Sequence, residues 1–206
     1  MKLTYAVEVC TEHRELDALL HFLVGTKDPG DEINVLVDTT KMTKKVSGVL
    51  EKYPVTTCFR SFDGDFAAHR NYHISQCTGD YIVMIDADEM PQEHLIRNIK
   101  KVLEDTGAEL VYVPRMNLCP GYTAEWAQRL KFTVNEMGWI NWPDQQGRIF
   151  KRAPERIKWD QVLHEKVTGS TKTIAFSADP KFGLWHIKSV LKQDAQDAFY
   201  KNLNTS

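Results

Sequence analysis

Apolar and amphipathic segments alternate along the first half of the chain. Four short apolar runs have the length and residue types of buried strands, and they lie at 3–9, 33–37, 55–59 and 81–85. Between them, apolar residues recur every three or four positions, which predicts helices within 16–23, 42–50 and 66–76. This alternation predicts an open α/β sheet flanked by helices.

The pattern continues beyond Pro91 and then weakens. An apolar stripe with helical spacing follows Pro91, and 109–113 is predicted as the next strand. From 114 to 160 the periodicity is weak, and tryptophan, glycine and proline accumulate. Short strands are expected at 148–151 and 172–178.

The chain is predicted to end in a helix from about 190 to 203. Leu191, Ala195, Phe199 and Leu203 share one face of that helix. With 206 residues and 42% hydrophobic content, the chain is long enough to form a core without a disulfide or a structural metal. It shows no repeat and no obvious linker, so a single domain is expected over 1–206.

Charge and cysteine content narrow the class of protein. The 26 Lys and Arg nearly balance the 28 Asp and Glu, with no basic run, which argues against a binder of nucleic acid or membrane surfaces. No apolar segment is long enough to span a membrane, and Glu8 interrupts the region where a secretory signal would be apolar. The four scattered cysteines form no Cys-x-x-Cys pair, so we expect reduced thiols in a cytoplasmic protein.

The strongest candidate for chemistry is the acidic segment that follows the strand at 81–85. It places Asp86, Asp88 and Glu89 at the carboxyl end of a buried strand, the edge where open α/β sheets bind ligands. Two carboxylates with this spacing suit Mg²⁺ or Mn²⁺ together with a phosphate-bearing ligand. The alternative is a solvated acidic turn that caps a helix beginning near Pro91.

Several motifs in order extend this observation. The runs Asp-Phe-Ala-Ala-His-Arg-Asn at 65–71 and Gly-Asp-Tyr-Ile-Val-Met-Ile-Asp-Ala-Asp-Glu at 79–89 resemble the central signature of family 2 glycosyltransferases with the GT-A fold. The segment at 144–152 and the Val-Leu-His-Glu sequence at 162–165 are similar to the Arg-x-Phe and His-Glu regions of the branch that includes lipopolysaccharide-core and bacterial glycan glucosyltransferases. The resemblance covers roughly 3–190 and implies a GT-A open mixed sheet in one minimal domain.

The resemblance implies a donor half at 1–114 and an acceptor and catalytic half at 115–206. Asp38 matches an acidic position near the nucleobase, with Asp63 as a second candidate, and Asp86 would hold the ribose. At 10–13 the sequence Cys-Thr-Glu-His replaces the Asn-Glu pair usual in the family, and Thr11 is the nucleotide contact expected there.

Two arginines are implied in donor binding. Arg70 and Arg148 would orient the nucleotide-sugar and neutralise its phosphates, because a guanidinium offers a planar fork of donors. For Arg70, the alternative is a structural ion pair with Asp63, Asp65 or Asp80.

The resemblance also implies a catalytic base and a metal site. Glu165 would remove the proton of the acceptor hydroxyl in a single inverting displacement, with Asp160 in reserve; the alternative is an exposed partner of Lys158 or Lys166. Asp88 would bind the metal, and His186 would favour Mn²⁺ over Mg²⁺ as a second ligand. Tryptophans between 126 and 159 could stack on sugar rings or pack in the core.

The function expected from these residues is metal-dependent, inverting transfer of a sugar from a nucleotide donor to a hydroxyl acceptor, and a UDP-sugar is the expected donor. The acceptor would be a glycan or a lipid-linked saccharide, which would bring at most peripheral membrane contact. Two alternatives stay open. A nucleotidyltransferase should carry a glycine-rich phosphate loop, which the first 40 residues lack. A non-catalytic glycan-binding protein could retain the fold without turnover.

Overall fold

The structure is a computed structural model that describes residues 1–162 and 165–203. Leu163 and His164 of the Val-Leu-His-Glu motif, and residues 204–206, lie outside the described part, as does the Leu203 side chain. The strands are β1 (Leu3–Val9), β2 (Glu32–Asp38), β3 (Thr56–Arg60), β4 (Tyr81–Asp86), β5 (Glu89–Pro91), β6 (Leu110–Leu118), β7 (Ile140–Lys151), β8 (Lys158–Asp160), β9 (Lys166–Thr168), β10 (Thr173–Ala175) and β11 (Leu184–Ile187). The helices are α1 (His13–Thr26), α2 (Lys44–Leu50), α3 (Phe66–Ser75), α4 (Glu93–Thr106), α5 (Ala124–Arg129) and α6 (Val190–Leu203), with a 3-10 turn at Pro180–Phe182.

A nine-stranded mixed sheet forms the centre of the molecule. Its main path runs β3-β2-β1-β4-β7-β6-β11-β5, and β10 pairs with β6. The first four strands are parallel, whereas β7 is antiparallel to both β4 and β6. Strands β8 and β9 form a separate antiparallel hairpin. The predicted open mixed α/β sheet is confirmed.

Both faces of the sheet are covered, which is why its central strands are continuously apolar. On β4, Val83 and Ile85 join the core that contains α1 and α4, whereas Ile82 and Met84 pack on the opposite side. Helix α1 contributes four leucines that are fully buried, namely Leu16, Leu19, Leu20 and Leu23. Burial of each such side chain stabilises the fold by about 2 kcal/mol.

The turn into β4 requires glycine. A Cβ atom at Gly79 would lie 2.5 Å from the backbone nitrogen of Thr4, closer than any side chain could be placed. The Gly79 amide donates instead to the Thr4 hydroxyl at 2.8 Å. This contact ties β4 to β1 and fixes where the acidic segment leaves the sheet.

Two details of the sequence prediction are corrected. Residues Glu89–Pro91 form a short strand paired with β11, and the following helix begins at Glu93 rather than near Pro91. Glu89 is only 1% exposed, so the interpretation of this segment as a solvated acidic turn is wrong there. Because β5 and its partner β11 are almost a hundred residues apart, no local pattern in the sequence predicts their pairing.

Helix α6 has the predicted bounds, but its predicted apolar face is not a core face. Leu191 is 82% exposed and Phe199 is 42% exposed. The helix is held instead by polar contacts. Among them, the Trp126 indole and the Arg129 guanidinium donate to Asp194 at 3.0 and 2.9 Å.

None of the helices formed by residues 1–162 and 165–203 combines the length and apolar character needed to cross a bilayer.

Candidate active site

A cleft of about 1240 Å³ opens at the edge where β1, β2 and β4 end. Its walls include most of the residues that the sequence singled out, namely Thr11, Asp38, Arg70, Asp86, Asp88, Arg148, Glu165 and His186. Parallel strands deliver their carboxyl ends to the same edge, which explains why segments far apart in sequence meet here. Asp63 and Asp160 are not among the lining residues.

Arg148 joins Asp86 to Glu89 in the floor of the cleft. Its Nη2 donates to Asp86 Oδ2 at 2.7 Å and to Glu89 Oε1 at 2.6 Å, and its side chain is 4% exposed. Arg115 donates to the same Glu89 oxygen at 3.0 Å. Burial acts to raise the pKa of Asp86, but Arg148 and Arg70 outweigh it and hold that pKa well below its usual range.

Arg70 connects Asp86 to Glu165, the candidate base. Its Nη2 donates to Asp86 Oδ1 at 3.1 Å, and its Nε lies 3.1 Å from Glu165 Oε1 and 3.6 Å from Glu8 Oε2. The guanidinium also lies over the Trp159 ring, with 4.4 Å to the centroid. The alternative partners Asp63, Asp65 and Asp80 do not hold Arg70.

Glu165 is an inward-facing carboxylate. Its side chain is 15% exposed and pairs with Arg70, not with Lys158 or Lys166 as an exposed surface pair would. Asp160 is exposed at the end of β8, and one of its oxygens accepts from the Gln161 amide at 2.9 Å. Of the two base candidates, the structure thus brings only Glu165 into the cleft.

Asp88 and His186 meet at the other side of the acidic segment. His186 Nε2 lies 3.7 Å from Asp88 Oδ2, while His186 Nδ1 lies 2.8 Å from the side-chain oxygen of Asn117. The Asn117 amide nitrogen donates to Asp144 at 2.8 Å, which fixes the amide orientation. Because the Asn117 oxygen only accepts, Nδ1 of His186 carries a proton, and Nε2 is the ring nitrogen that faces Asp88.

Several positive groups surround Asp88. Lys192 donates to Asp88 Oδ2 at 2.9 Å, and the buried Lys188 lies close by. Burial acts to raise the pKa of Asp88, but His186, Lys188 and Lys192 lower it well below its usual range. Burial lowers the pKa of Lys188, because the charged form of a lysine is the protonated one.

The nucleobase candidates differ in their exposure. Asp38 faces the cleft, where it accepts from the Thr40 and Phe62 amides at 2.9 and 3.1 Å. These hydrogen bonds outweigh burial and lower its pKa. Thr11 lines the same end of the cleft, whereas Asp63 is 57% exposed and pairs with Arg60 at 2.9 Å.

The tryptophans divide between packing and partial exposure. Trp126 and Trp159 are 8% and 5% exposed, so core packing is confirmed for these two. Trp139 and Trp142 are half-buried and pack edge to face with ring centroids 4.8 Å apart.

Several residues of the cleft were not predicted from the sequence, among them Glu8, Asn117, Asp144 and Arg115. They meet only because β1, β4, β7 and β6 are successive neighbours in the sheet. Lys188 and Lys192 did leave a signal, because they follow His186 by two and six residues across the junction of β11 and α6.

No group of three or more His, Cys, Asp or Glu side chains within residues 1–162 and 165–203 is arranged to hold a metal ion. Asp88 and His186 form a smaller donor set.

All four cysteines are free, and burial raises the pKa of the Cys10 and Cys58 thiols to about 11.

Comparisons with known proteins concern both the fold and the family of this chain. Among solved structures, S. aureus TarS has a TM-score of 0.64 at 12% identity, over 91% of this chain and 37% of that one. S. aureus TarS 1-349 in complex with UDP-GlcNAc has a TM-score of 0.64 at 14% identity, over 91% of this chain and 59% of that one. A mycobacterial protein gives 0.51 at 15% identity, over 73% and 53%. At these identities, the similarity to the solved structures shows a shared fold. No curated protein matches the chain.

The chain spans less than two thirds of the length of each of these structures. The family model described as "Glycosyl transferase family 2" matches residues 7–167, well over half of the chain. That interval includes the end of β1, Arg70, Arg148, the acidic segment and Glu165. The chain belongs to glycosyltransferase family 2.

Proposed function

We propose that this protein is a metal-dependent, inverting glycosyltransferase that transfers a hexose from a UDP-sugar to a hydroxyl acceptor. One observation carries the proposal. The Arg70 guanidinium contacts Asp86 of the donor-side acidic segment and Glu165 of the second half, each at 3.1 Å. A donor-binding group and a candidate base are thereby brought to one point in one cleft.

The donor end of the cleft suits a nucleoside diphosphate. The resemblance assigns Asp38 and Thr11 to the nucleobase and Asp86 to the ribose, and the fact that all three line one cleft supports this proposal. The position of Asp38 inside the cleft favours it over the exposed Asp63 for the nucleobase. The similar TarS structures include complexes with UDP and with UDP-GlcNAc, which supports UDP as the nucleotide.

The residues present fit a divalent cation. One carboxylate oxygen and one imidazole nitrogen are few protein ligands, but Mg²⁺ and Mn²⁺ sites of this kind are completed by substrate phosphates and water. His186 is already oriented by Asn117 with Nε2 toward Asp88. When bound, the metal would stabilise the negative charge of the departing diphosphate.

Glu165 would act as the base. An ionised carboxylate must accept the proton of the acceptor hydroxyl as that oxygen attacks the anomeric carbon from the face opposite the leaving nucleotide. Arg70 contacts Glu165 and would hold it in place, while the Trp159 ring packs against the guanidinium. One such base suffices for inversion, and this supports the single-displacement assignment.

The acceptor and the cellular setting are also proposals. The Arg-x-Phe and His-Glu regions favour the branch that glycosylates lipopolysaccharide cores and other bacterial glycans, with a glycan or lipid-linked saccharide as acceptor. Four free cysteines support a cytoplasmic location.

Isothermal titration of UDP into the protein tests the donor site, with Mn²⁺ and with a chelator. We expect binding that requires Mn²⁺, and turnover with at least one member of a UDP-sugar panel. Binding of glycans without hydrolysis or transfer of any nucleotide-sugar would favour the glycan-binding alternative. Absence of UDP binding under both conditions would contradict the proposal, and titration with GDP, CDP and dTDP would then identify another nucleotide.

A further inference from the structure

The first turns of α6 place a lysine ammonium on the carboxylate assigned to the metal. Lys192 Nζ lies 2.9 Å from Asp88 Oδ2 and 3.5 Å from Glu12 Oε1. The same Asp88 oxygen is the one that faces His186 Nε2 at 3.7 Å. An ammonium group therefore lies against the oxygen that a metal ion would use.

Lys192 cannot keep this position when a divalent cation is present. Two cations that contact one carboxylate oxygen repel each other strongly, and the low polarity of a partly closed cleft screens that repulsion poorly. Asp88 is 14% exposed, so little water reaches the pair. The Lys192 side chain itself is 40% exposed, which leaves it room to turn away.

The cleft offers the displaced ammonium one new partner. The metal would bring with it the diphosphate of the donor, whose oxygens are ligands for an ammonium group as well as for the metal. The neighbouring Lys188 is 9% exposed and donates to Gln196 at 2.6 Å, so this side of the cleft already carries a second positive charge.

We propose that Lys192 is a positioning residue for the donor, which neutralises Asp88 in the free protein and moves to the donor diphosphate when the metal binds. The inference rests on the proposed function and adds to it an exchange between two cations. It predicts opposite effects of removing the lysine charge. Metal alone should bind more tightly, because its competitor is absent, and UDP with metal should bind less tightly, because a phosphate partner is lost.

The test compares the wild type with K192M and K192R. Binding of Mn²⁺ alone is followed by the electron paramagnetic resonance signal of the free ion, and binding of UDP at saturating Mn²⁺ is followed by calorimetry. For K192M we expect Mn²⁺ affinity to rise by about fivefold and UDP affinity to fall by about fivefold, as is typical of one partly exposed ion pair. K192R, which keeps the charge, should stay close to the wild type in both titrations.

A matched control is K101M on α4. Lys101 pairs with Asp105 at 2.8 Å outside the cleft, and its loss should change neither titration. If the wild type binds UDP with Mn²⁺ and K192M does not shift the two affinities in opposite directions, the exchange is refuted and the proposed function stands. If the wild type binds no UDP with Mn²⁺, the proposed function is refuted, and the exchange with it.

Discussion

Arg148 and Asp86 link β7 to β4 at the cleft, with 2.7 Å between Nη2 and Oδ2. Asp86 ends β4, and Arg148 lies on the long antiparallel β7. The same guanidinium nitrogen lies 2.6 Å from Glu89, whose side chain has no solvent exposure. The acidic segment is therefore built around a buried cation.

Replacement of this cation should destabilise the protein. R148M leaves Glu89 and Asp86 with fewer partners in a buried site, and loss of one partner of a buried pair costs about 3 kcal/mol. Arg115 still reaches Glu89, which keeps the loss at the lower end of such cases. Urea unfolding measures the change in the free energy of unfolding.

The control for R148M is R97M. Arg97 is 59% exposed and pairs on α4 with Glu93, which is 56% exposed, so its removal should leave the free energy of unfolding close to the wild-type value. Equal destabilisation by both substitutions would contradict the structural role given to Arg148.

E165Q should separate catalysis from binding. Glutamine keeps the shape of the side chain and can still accept from Arg70, but it cannot take the acceptor proton. We expect kcat to fall by about 10² to 10⁴, while the affinity for UDP with Mn²⁺ stays within about twofold, since the base acts on the acceptor. Steady-state kinetics and calorimetry measure the two quantities.

D160N is the matched control for E165Q. Asp160 is exposed and does not line the cleft, so its turnover should equal that of the wild type. A large loss in D160N with normal turnover in E165Q would transfer the role of base to Asp160.

D88N should abolish the contribution of the metal. Without the charged oxygen, UDP affinity in Mn²⁺ should fall to the value found with chelator, and turnover should drop by on the order of 10²-fold or more. D105N removes a carboxylate from an exposed pair on α4 and should leave both quantities unchanged. Undiminished stimulation of D88N by Mn²⁺ would show that the metal binds elsewhere.

Stability at acid pH should depend on Asp144. Burial acts to raise its pKa, but Arg115, Asn117 and Gln146 lower it below the usual value. A carboxyl whose pKa is lower in the folded state contributes stability above its unfolded pKa of about 4, and this is lost as the pH falls through the folded pKa. D144N should therefore show a shallower loss of stability below about pH 4 in urea unfolding. Parallel curves for the two proteins would contradict this.

The sequence predicted most of the first half of the chain because its elements are local. The strands at 3–9 and 81–85 each stand within one residue of the observed bounds, and α1 buries the leucines that share its predicted face. The acidic segment was recognised because it follows a buried strand. The branch of the family and the roles of the site residues stay predictions.

The sequence predicted less of the structure in the second half of the chain. Strand β7 begins at Ile140 rather than near Arg148, and it has mixed burial because its two ends contact different neighbours. The polar partners of His186 illustrate the same difficulty: Asn117 lies 69 residues away on β6, and nothing in its own sequence context marks it.

By itself, the sequence determined the order of the main strands and helices in the first half of the chain and the placement of the acidic segment at a sheet edge. Apolar periodicity and short motifs are local properties, and local residues are enough to specify them. Only the tertiary structure decided which charges meet. Arg70 pairs with Glu8, Asp86 and Glu165, and Lys192 reaches Asp88, because strand pairing and helix packing bring distant segments within a few ångströms. The distance dependence of charge interactions then makes those partners, and not nearer ones in sequence, the ones that matter.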